Sequence, residues 1–265
     1  MIRVITAIIL GFAAVAGIWW LPAWAFDLIV LIAVAGSLFE FSRMFLSDFY
    51  ERWMTMAVAT LIAAVMIFFM RDDSALISLL VLAVFILCCL FMWRTSEMPG
   101  VVNRIGVAVM SILYLGVALS MWSWLRHVDL GREWVMFAIV PSCLCDTFAY
   151  LVGKMIGRHR MAPLVSPNKT MEGFFGALLG SLIGAFIVWF VLLRFIPWWH
   201  ILILAICLWF ISPFGDLIES MMKRSAGVKD SGTIIPGHGG LLDRLDALTF
   251  AGPFVYAYVR YVLSV

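Results

Sequence analysis

A succession of apolar runs, each close to twenty residues and divided by short polar stretches, leaves this 265-residue chain few ways to fold. A bilayer core takes about 20 apolar residues per helical span. Inside it, every backbone N–H and C=O must be satisfied within a helix or a closed barrel. Runs of this kind fall at 4–21, 25–46, 53–70, 74–93, 105–125, 134–153, 173–194, 199–218 and 246–264. The alternating ten-residue pattern of a transmembrane barrel is missing. The chain is therefore expected to be an all-α, polytopic integral membrane protein of about nine helices, forming a single membrane domain over residues 1–265. With 65% hydrophobic and 13% charged residues and a mean hydropathy of +1.07, a soluble globular domain is excluded.

Orientation follows from the basic residues. With nine helices, thirteen of the 18 Lys and Arg fall on one side, which the positive-inside rule makes cytoplasmic, together with the N-terminus. The start of the chain, with Arg3 ahead of an apolar run and Ala23-Trp24-Ala25 after it, has the outline of a secretory leader. The many spans that follow favour a retained first helix instead. On this topology the 154–172 and 219–245 loops share the cytoplasmic face.

Against this apolar background, nine charged residues gather between Asp216 and Asp246: Asp216, Glu219, Lys223, Arg224, Lys229, Asp230, Asp243, Arg244 and Asp246. Asp216, Glu219 and Lys223 fall at i, i+3 and i+7, one stripe of the eighth helix as it leaves the membrane. Asp243 and Asp246 stand at i and i+3 where the ninth begins. Gly239-Gly240 just before them permits positive φ and close backbone approach. Two helix ends joined by a loop on one face can bring Asp216 and Asp243 together. Carboxylate oxygens of this kind suit Mg²⁺, which keeps waters and substrate phosphates in its remaining positions. Lys223, Arg224 and Lys229 can neutralise phosphate oxygens, and the helix start near Gly240 adds backbone donors.

The 154–172 loop supplies a second cluster: Lys154, Arg158, His159, Arg160, then Ser166-Pro167-Asn168-Lys169-Thr170-Met171-Glu172-Gly173. Ser166 and Pro167 predict a rigid turn, and Glu172 suits the first turn of the seventh helix. Asp146 interrupts the sixth apolar run, and an intramembrane acid marks a site unless it is paired for packing. Elsewhere the bland readings hold. Glu40 is expected to pair with Arg43, Asp27 to cap a helix, and His127 and His200 to lie at the membrane interface. His238, between Gly237 and Gly239, is the one histidine placed for substrate contact or proton transfer. The five cysteines have no metal-ligand spacing. No phosphate-binding G-x-x-x-x-G-K-[ST] loop is present, and no nucleic-acid partner is expected.

The string Ser220-x-x-Lys223-Arg224-x4-Lys229-Asp230-x-Gly232-x3-Pro236-x-His238-Gly239-Gly240-x-x-Asp243-Arg244-x-Asp246 resembles the signature of the phosphatidate cytidylyltransferases of bacterial type. Ser166 to Gly173 and Gly215-Asp216-Leu217-x-Glu219-Ser220 are similar to further motifs of that family. The resemblance covers residues 142–250. It implies transfer of a cytidylyl group from CTP to phosphatidic acid, giving CDP-diacylglycerol and diphosphate in phospholipid synthesis. It also implies Mg²⁺, with a monovalent cation beside it left open, a homodimer, and a place in the bacterial cytoplasmic membrane with the active site facing the cytoplasm. On this resemblance the metal set is Asp216, Asp243 and Asp246, and Lys223 joins them as catalytic. Ser166, Lys169, Arg224, Lys229, His238, Gly239, Gly240, Arg244 and Asp146 are the expected substrate contacts. Two other classes share part of this pattern: a CTP-dependent kinase of a polyprenol-type lipid, and a secondary transporter coupled through Asp146 and Asp216. Transporters often carry paired repeats, and none is evident in this sequence.

Overall fold

The computed structural model describes residues 15–70, 73–95, 97–232 and 239–264. The apolar runs become helices α1 (Ala23–Phe45), α2 (Phe49–Phe68), α3 (Leu76–Arg94), α4 (Val101–His127, with a π-helical turn at Ile112–Val117), α5 (Gly131–Ile156), α6 (Met171–Leu192) and α7 (Trp198–Ser225). Among the described residues these seven are long and apolar enough to cross a bilayer. The predicted first run lies largely outside the described residues. The last run is helical but shorter: a single turn α8 (Leu242–Leu245), then α9 (Leu248–Tyr258) with a π-helical continuation to Leu263. Asp246 therefore sits in the turn between α8 and α9 rather than inside a membrane helix.

Two differences from the sequence reading shape the site. Helix α7 runs on to Ser225, two turns past the end of its apolar run, because nothing breaks it before Gly227, whose φ is +72°. Those two turns carry Glu219 and Lys223. Residues 160–170 form a small antiparallel hairpin, β1 (Arg160–Ala162) with β2 (Ser166–Thr170), pairing Arg160 with Thr170 and Ala162 with Ser166. Ser166 and Pro167 thus lie in a strand, and the turn is made upstream, where the Val165 amide donates to the Ala162 carbonyl at 3.1 Å. The Thr170 hydroxyl then caps α6 by accepting from the Gly173 amide at 3.1 Å.

The tightest packing joins α5 and α6. Gly173, Gly176, Gly180 and Gly184 form one stripe of α6, spaced by three and four residues. A Cβ at Gly180 would run into the Leu144 backbone, one at Gly184 would lie 2.8 Å from Pro141 Cα, and one at Gly173 2.7 Å from the Ala149 carbonyl. Small residues at such intervals let membrane helices approach backbone to backbone, where dispersion replaces the missing hydrophobic drive. Polar side chains fasten the remaining helices. The Ser181 hydroxyl donates to the Ala205 carbonyl at 2.7 Å, and Trp209 Nε1 to the Phe174 carbonyl at 2.6 Å, which ties α7 to α6.

Asp27 is not a cap. It is buried in α1, accepts from the Ser123 hydroxyl at 2.6 Å and contacts His127 Nε2 at 2.9 Å, so α1 is tied to α4. His200 is likewise buried, with Nδ1 2.9 Å from the Tyr258 hydroxyl. An acid or imidazole buried among apolar helices needs a partner, and these two have found one.

Candidate active site

Asp216 and Glu219 project from one stripe of α7, as their spacing requires. Gly215 lies on the same helix where the Asp246 backbone comes closest, since a Cβ there would be 2.8 Å from the Asp246 carbonyl oxygen. This approach sets Asp246 beside the stripe. Asp216, Glu219 and Asp246 each present a carboxylate oxygen within 4.8 Å of the other two. Burial, and then the charge of Asp216, push the Asp246 carboxyl up to about 6. Glu219 is fully buried, and its Oε2 has no hydrogen-bond donor among the described residues. Three hard oxygen donors this close together, one of them unsatisfied, could hold a divalent cation such as Mg²⁺.

Asp243 takes a different position. It accepts from Lys223 Nζ at 2.6 Å, from the Gly240 amide at 2.8 Å and from the Ser231 amide at 3.1 Å. Partial burial works to raise the Asp243 carboxyl, but the Lys223 ammonium and these amides outweigh it and hold the group below its usual range. Gly239, at φ +82°, permits this turn, and a Cβ there would sit 2.9 Å from Asp243 Oδ2. Lys223 Nζ is also 3.2 Å from Glu219 Oε1. The lysine thus bridges Asp243 to the three-carboxylate cluster.

The 160–170 hairpin closes the other side. Lys169 Nζ is 2.6 Å from Asp216 Oδ2 and donates to the Pro213 carbonyl at 3.1 Å. Arg224 reaches back across the gap, donating to the Val165 carbonyl at 3.4 Å and to the Val228 carbonyl at 3.0 Å. Glu172 does more than suit a helix start. Its carboxylate accepts from the Arg158 amide at 3.0 Å and lies 2.6 Å from His159 Nδ1, fastening the turn that leads into β1.

Between α5, the hairpin, α7 and the α8 turn lies a cavity of about 570 Å³. Asp146, Lys169, Asp216, Asp243, Arg244 and Asp246 make it polar, while Tyr150, Met161 and Phe174 supply apolar wall. Asp146 is exposed on this wall, four residues from Tyr150 on the same helix face. Six of the predicted site residues thus meet in one cavity, and Lys223 lies just behind it. Ser166, Arg224 and Lys229 do not line it. Ser166 is half-buried in β2, and Arg224 and Lys229 are exposed. Gly239 and Gly240 shape the turn, and His238 lies outside the described residues.

Two acids were not foreseen. Glu219 is the third member of the carboxylate cluster, and its i+3 spacing from Asp216 was the signal for it. Glu40 forms no ion pair with Arg43, which is exposed. It accepts instead from the Ser231 hydroxyl at 2.9 Å and from the Leu241 and Leu242 amides at 3.0 and 2.9 Å.

With this geometry in place, comparison with known proteins is direct. The model of the cytidylyltransferase family matches residues 1–262. The chain belongs to the cytidylyltransferase family. Among curated relatives it is similar to the phosphatidate cytidylyltransferase of Staphylococcus haemolyticus (strain JCSC1435), 41% identical over 147 residues, 56% of each chain. That of Bacillus subtilis (strain 168) is 38% identical over 155 residues, 58% of each chain. That of Staphylococcus aureus (strain COL) is 42% identical over 151 residues, 56% of each chain. The chain spans about half the length of the curated relatives it matches.

Proposed function

We propose that this cytidylyltransferase-family protein makes CDP-diacylglycerol and diphosphate from CTP and phosphatidic acid. The observation that carries the reading is the cavity at the end of a membrane helix, where Asp146, Lys169, Asp216, Asp243 and Asp246 face an apolar wall and the buried Glu219 and Lys223 stand behind them. Nucleotidyl transfer asks chiefly for positioning and charge stabilisation, which this set provides. The family match and the names of the curated relatives support the same reaction.

In the proposed reaction an oxygen of the lipid phosphate bonds to the α-phosphorus of CTP while the bond from that phosphorus to the bridging oxygen of the β-phosphate breaks. Diphosphate leaves with that electron pair. A phosphomonoester with a second pKa of about 6 is already largely ionised at neutral pH, so no strong base is needed. Mg²⁺ fits the donors of Asp216, Glu219 and Asp246, and when bound it offsets the charge of the triphosphate. A monovalent cation beside it is supported by the resemblance alone. Asp243 is better placed to hold Lys223 and the glycine turn than to join that donor set. Lys169, now paired with Asp216, is positioned to turn to a substrate phosphate, and Arg244 adds positive charge to the same wall. Tyr150, Met161 and Phe174 give the lipid's glycerol and upper acyl carbons an apolar surface. His238, Lys229, Ser166 and Arg224 remain substrate contacts on the strength of the motif match.

The excess of basic residues on the side bearing both loops supports a cytoplasmic active site in a bacterial inner membrane, with the N-terminus on the same side. A homodimer rests on the resemblance alone. The test uses purified protein in detergent with phosphatidic acid, Mg²⁺ and CTP labelled at the α-phosphate. A labelled liponucleotide and free diphosphate are expected. Label that enters lipid only from the γ-phosphate would instead make the protein a lipid kinase, and no product across metals and lipid species would sink the proposal.

A further inference from the structure

Glu40 lies on α1, more than a hundred residues before the signature region, and is 2% exposed. Among the described residues it accepts three hydrogen bonds, all from the signature loop and from both of the loop's ends. Oε2 takes the Ser231 hydroxyl and the Leu242 amide, and Oε1 takes the Leu241 amide. The surrounding backbone is built around this carboxylate. A Cβ on Gly232 would lie 2.8 Å from Glu40 Cδ, and one on Gly240 2.5 Å from Glu40 Oε2. One turn earlier on the same face of α1, a Cβ on Gly36 would lie 2.7 Å from Leu241 Cδ2, so the loop seats in a notch left by a glycine. Asp243 pins the same neck from the other side, through the Ser231 and Gly240 amides.

We propose that Glu40 is a positioning residue, a carboxylate supplied by α1 that staples the two ends of the signature loop together and so sets Asp243 and Asp246 against Lys223 and Asp216. The kinetic part of its test rests on the proposed cytidylyltransferase reaction; the structural part does not. The hydrogen-bond pattern makes Glu40→Gln informative. A glutamine amide group, in either orientation, faces one of the two backbone N–H groups, which cannot turn away, so at least one donor is left unpaired. Ser231→Ala removes only the hydroxyl and leaves both amide bonds intact.

The experiment follows amide hydrogen exchange in the full chain in detergent micelles, with steady-state kinetics alongside. In Glu40→Gln the Leu241 and Leu242 amides are expected to exchange about ten- to a hundredfold faster, the factor that losing a buried, charge-assisted bond implies. Amides of the α5–α6 seam should keep their rates. The value of kcat/KM for CTP should fall by a similar factor, and the Mn²⁺ concentration that half-saturates binding should rise. Ser231→Ala should show the same pattern at about a fivefold level, within the range for one neutral hydrogen bond, and it carries the test if Glu40→Gln does not fold. Unchanged exchange at Leu241 and Leu242 would overturn the proposal. So would acceleration spread equally over the seam, which would mean a merely structural acid. Normal kcat/KM in a variant whose loop has loosened would overturn it as well. If the unaltered protein makes no liponucleotide, the reaction has failed as a reading, and the exchange rates still decide whether Glu40 staples the loop.

Discussion

Lys223→Met removes the ammonium that, among the described residues, joins the signature turn to the carboxylate cluster. It leaves Asp243 with its two backbone donors and strips Glu219 of its neighbouring cation. The side chains involved are nearly shielded from water: Lys223 is 10% exposed, Asp243 11% and Glu219 0%. Deleting one member of a buried ion pair costs about 3–5 kcal/mol, because the stranded charge stays behind in a poorly solvating site. Asp243→Asn is milder, about 2 kcal/mol, since an amide keeps the shape and one acceptor but turns a donor toward Lys223 or a backbone N–H. In the double variant methionine faces a neutral amide, and the stranded-charge penalty at Asp243 disappears. The double should therefore be more stable than the sum of the singles predicts, by about 2 kcal/mol. The four proteins can be compared by equilibrium unfolding in mixed micelles, followed by tryptophan fluorescence. A second cycle with Glu219→Gln should give a smaller coupling, because that contact is 3.2 Å against 2.6 Å. Additivity within about 0.5 kcal/mol in the Asp243 cycle would refute the reasoning, since sites without a shared interaction add to that tolerance.

The depressed Asp243 carboxyl carries a pH signature of definite sign. Its ionised form is favoured by folding, so its contribution is complete above the unfolded carboxylate range and is lost as pH falls through the folded value. Read as the difference in melting temperature between the unaltered protein and Asp243→Asn, the Asp243 share should be constant from pH 7 to 5 and shrink below about pH 4. Asp216→Asn or Asp246→Asn should weaken Mn²⁺ binding, read by electron paramagnetic resonance, by about tenfold or more while the protein remains folded; unchanged affinity in both would empty the proposed metal site. Gly240→Ala places a methyl 2.5 Å from Glu40 Oε2 and should cost about 1–3 kcal/mol in thermal unfolding, whereas Gly106→Ala, where nothing lies within 4 Å, should cost far less.

Hydropathy alone located the seven helices α1 to α7, because a bilayer enforces length and apolarity without reference to tertiary contacts. It misjudged where α7 ends, since a polar helix continues past the membrane as long as no residue breaks it. Helical spacing put Asp216 and Glu219 on one stripe. It could not show that Asp246 would join them while Asp243 turned to Lys223, because that depends on the backbone approach at Gly215 and on the turn at Gly239. Ser166-Pro167 read as a turn by local propensity, yet pairing with Arg160–Ala162 drew it into a strand. Glu40 was the hardest to see. Its partners lie 191 to 202 residues away, and an acid with an arginine three positions later offers a local explanation that the fold does not use.

The glycine seam between α5 and α6 has a consequence for how substrates come and go. A contact made of backbone has no rotamers to exchange, so the two helices cannot slide past each other in small repacking steps as side-chain interfaces do. Asp146 and Tyr150 on α5, with the capping Thr170 and Phe174 of α6, therefore form one rigid wall of the cavity. On the proposed reaction, any widening of the cavity for a lipid would fall to the opposite wall, formed by α7 and the turn leading to α9.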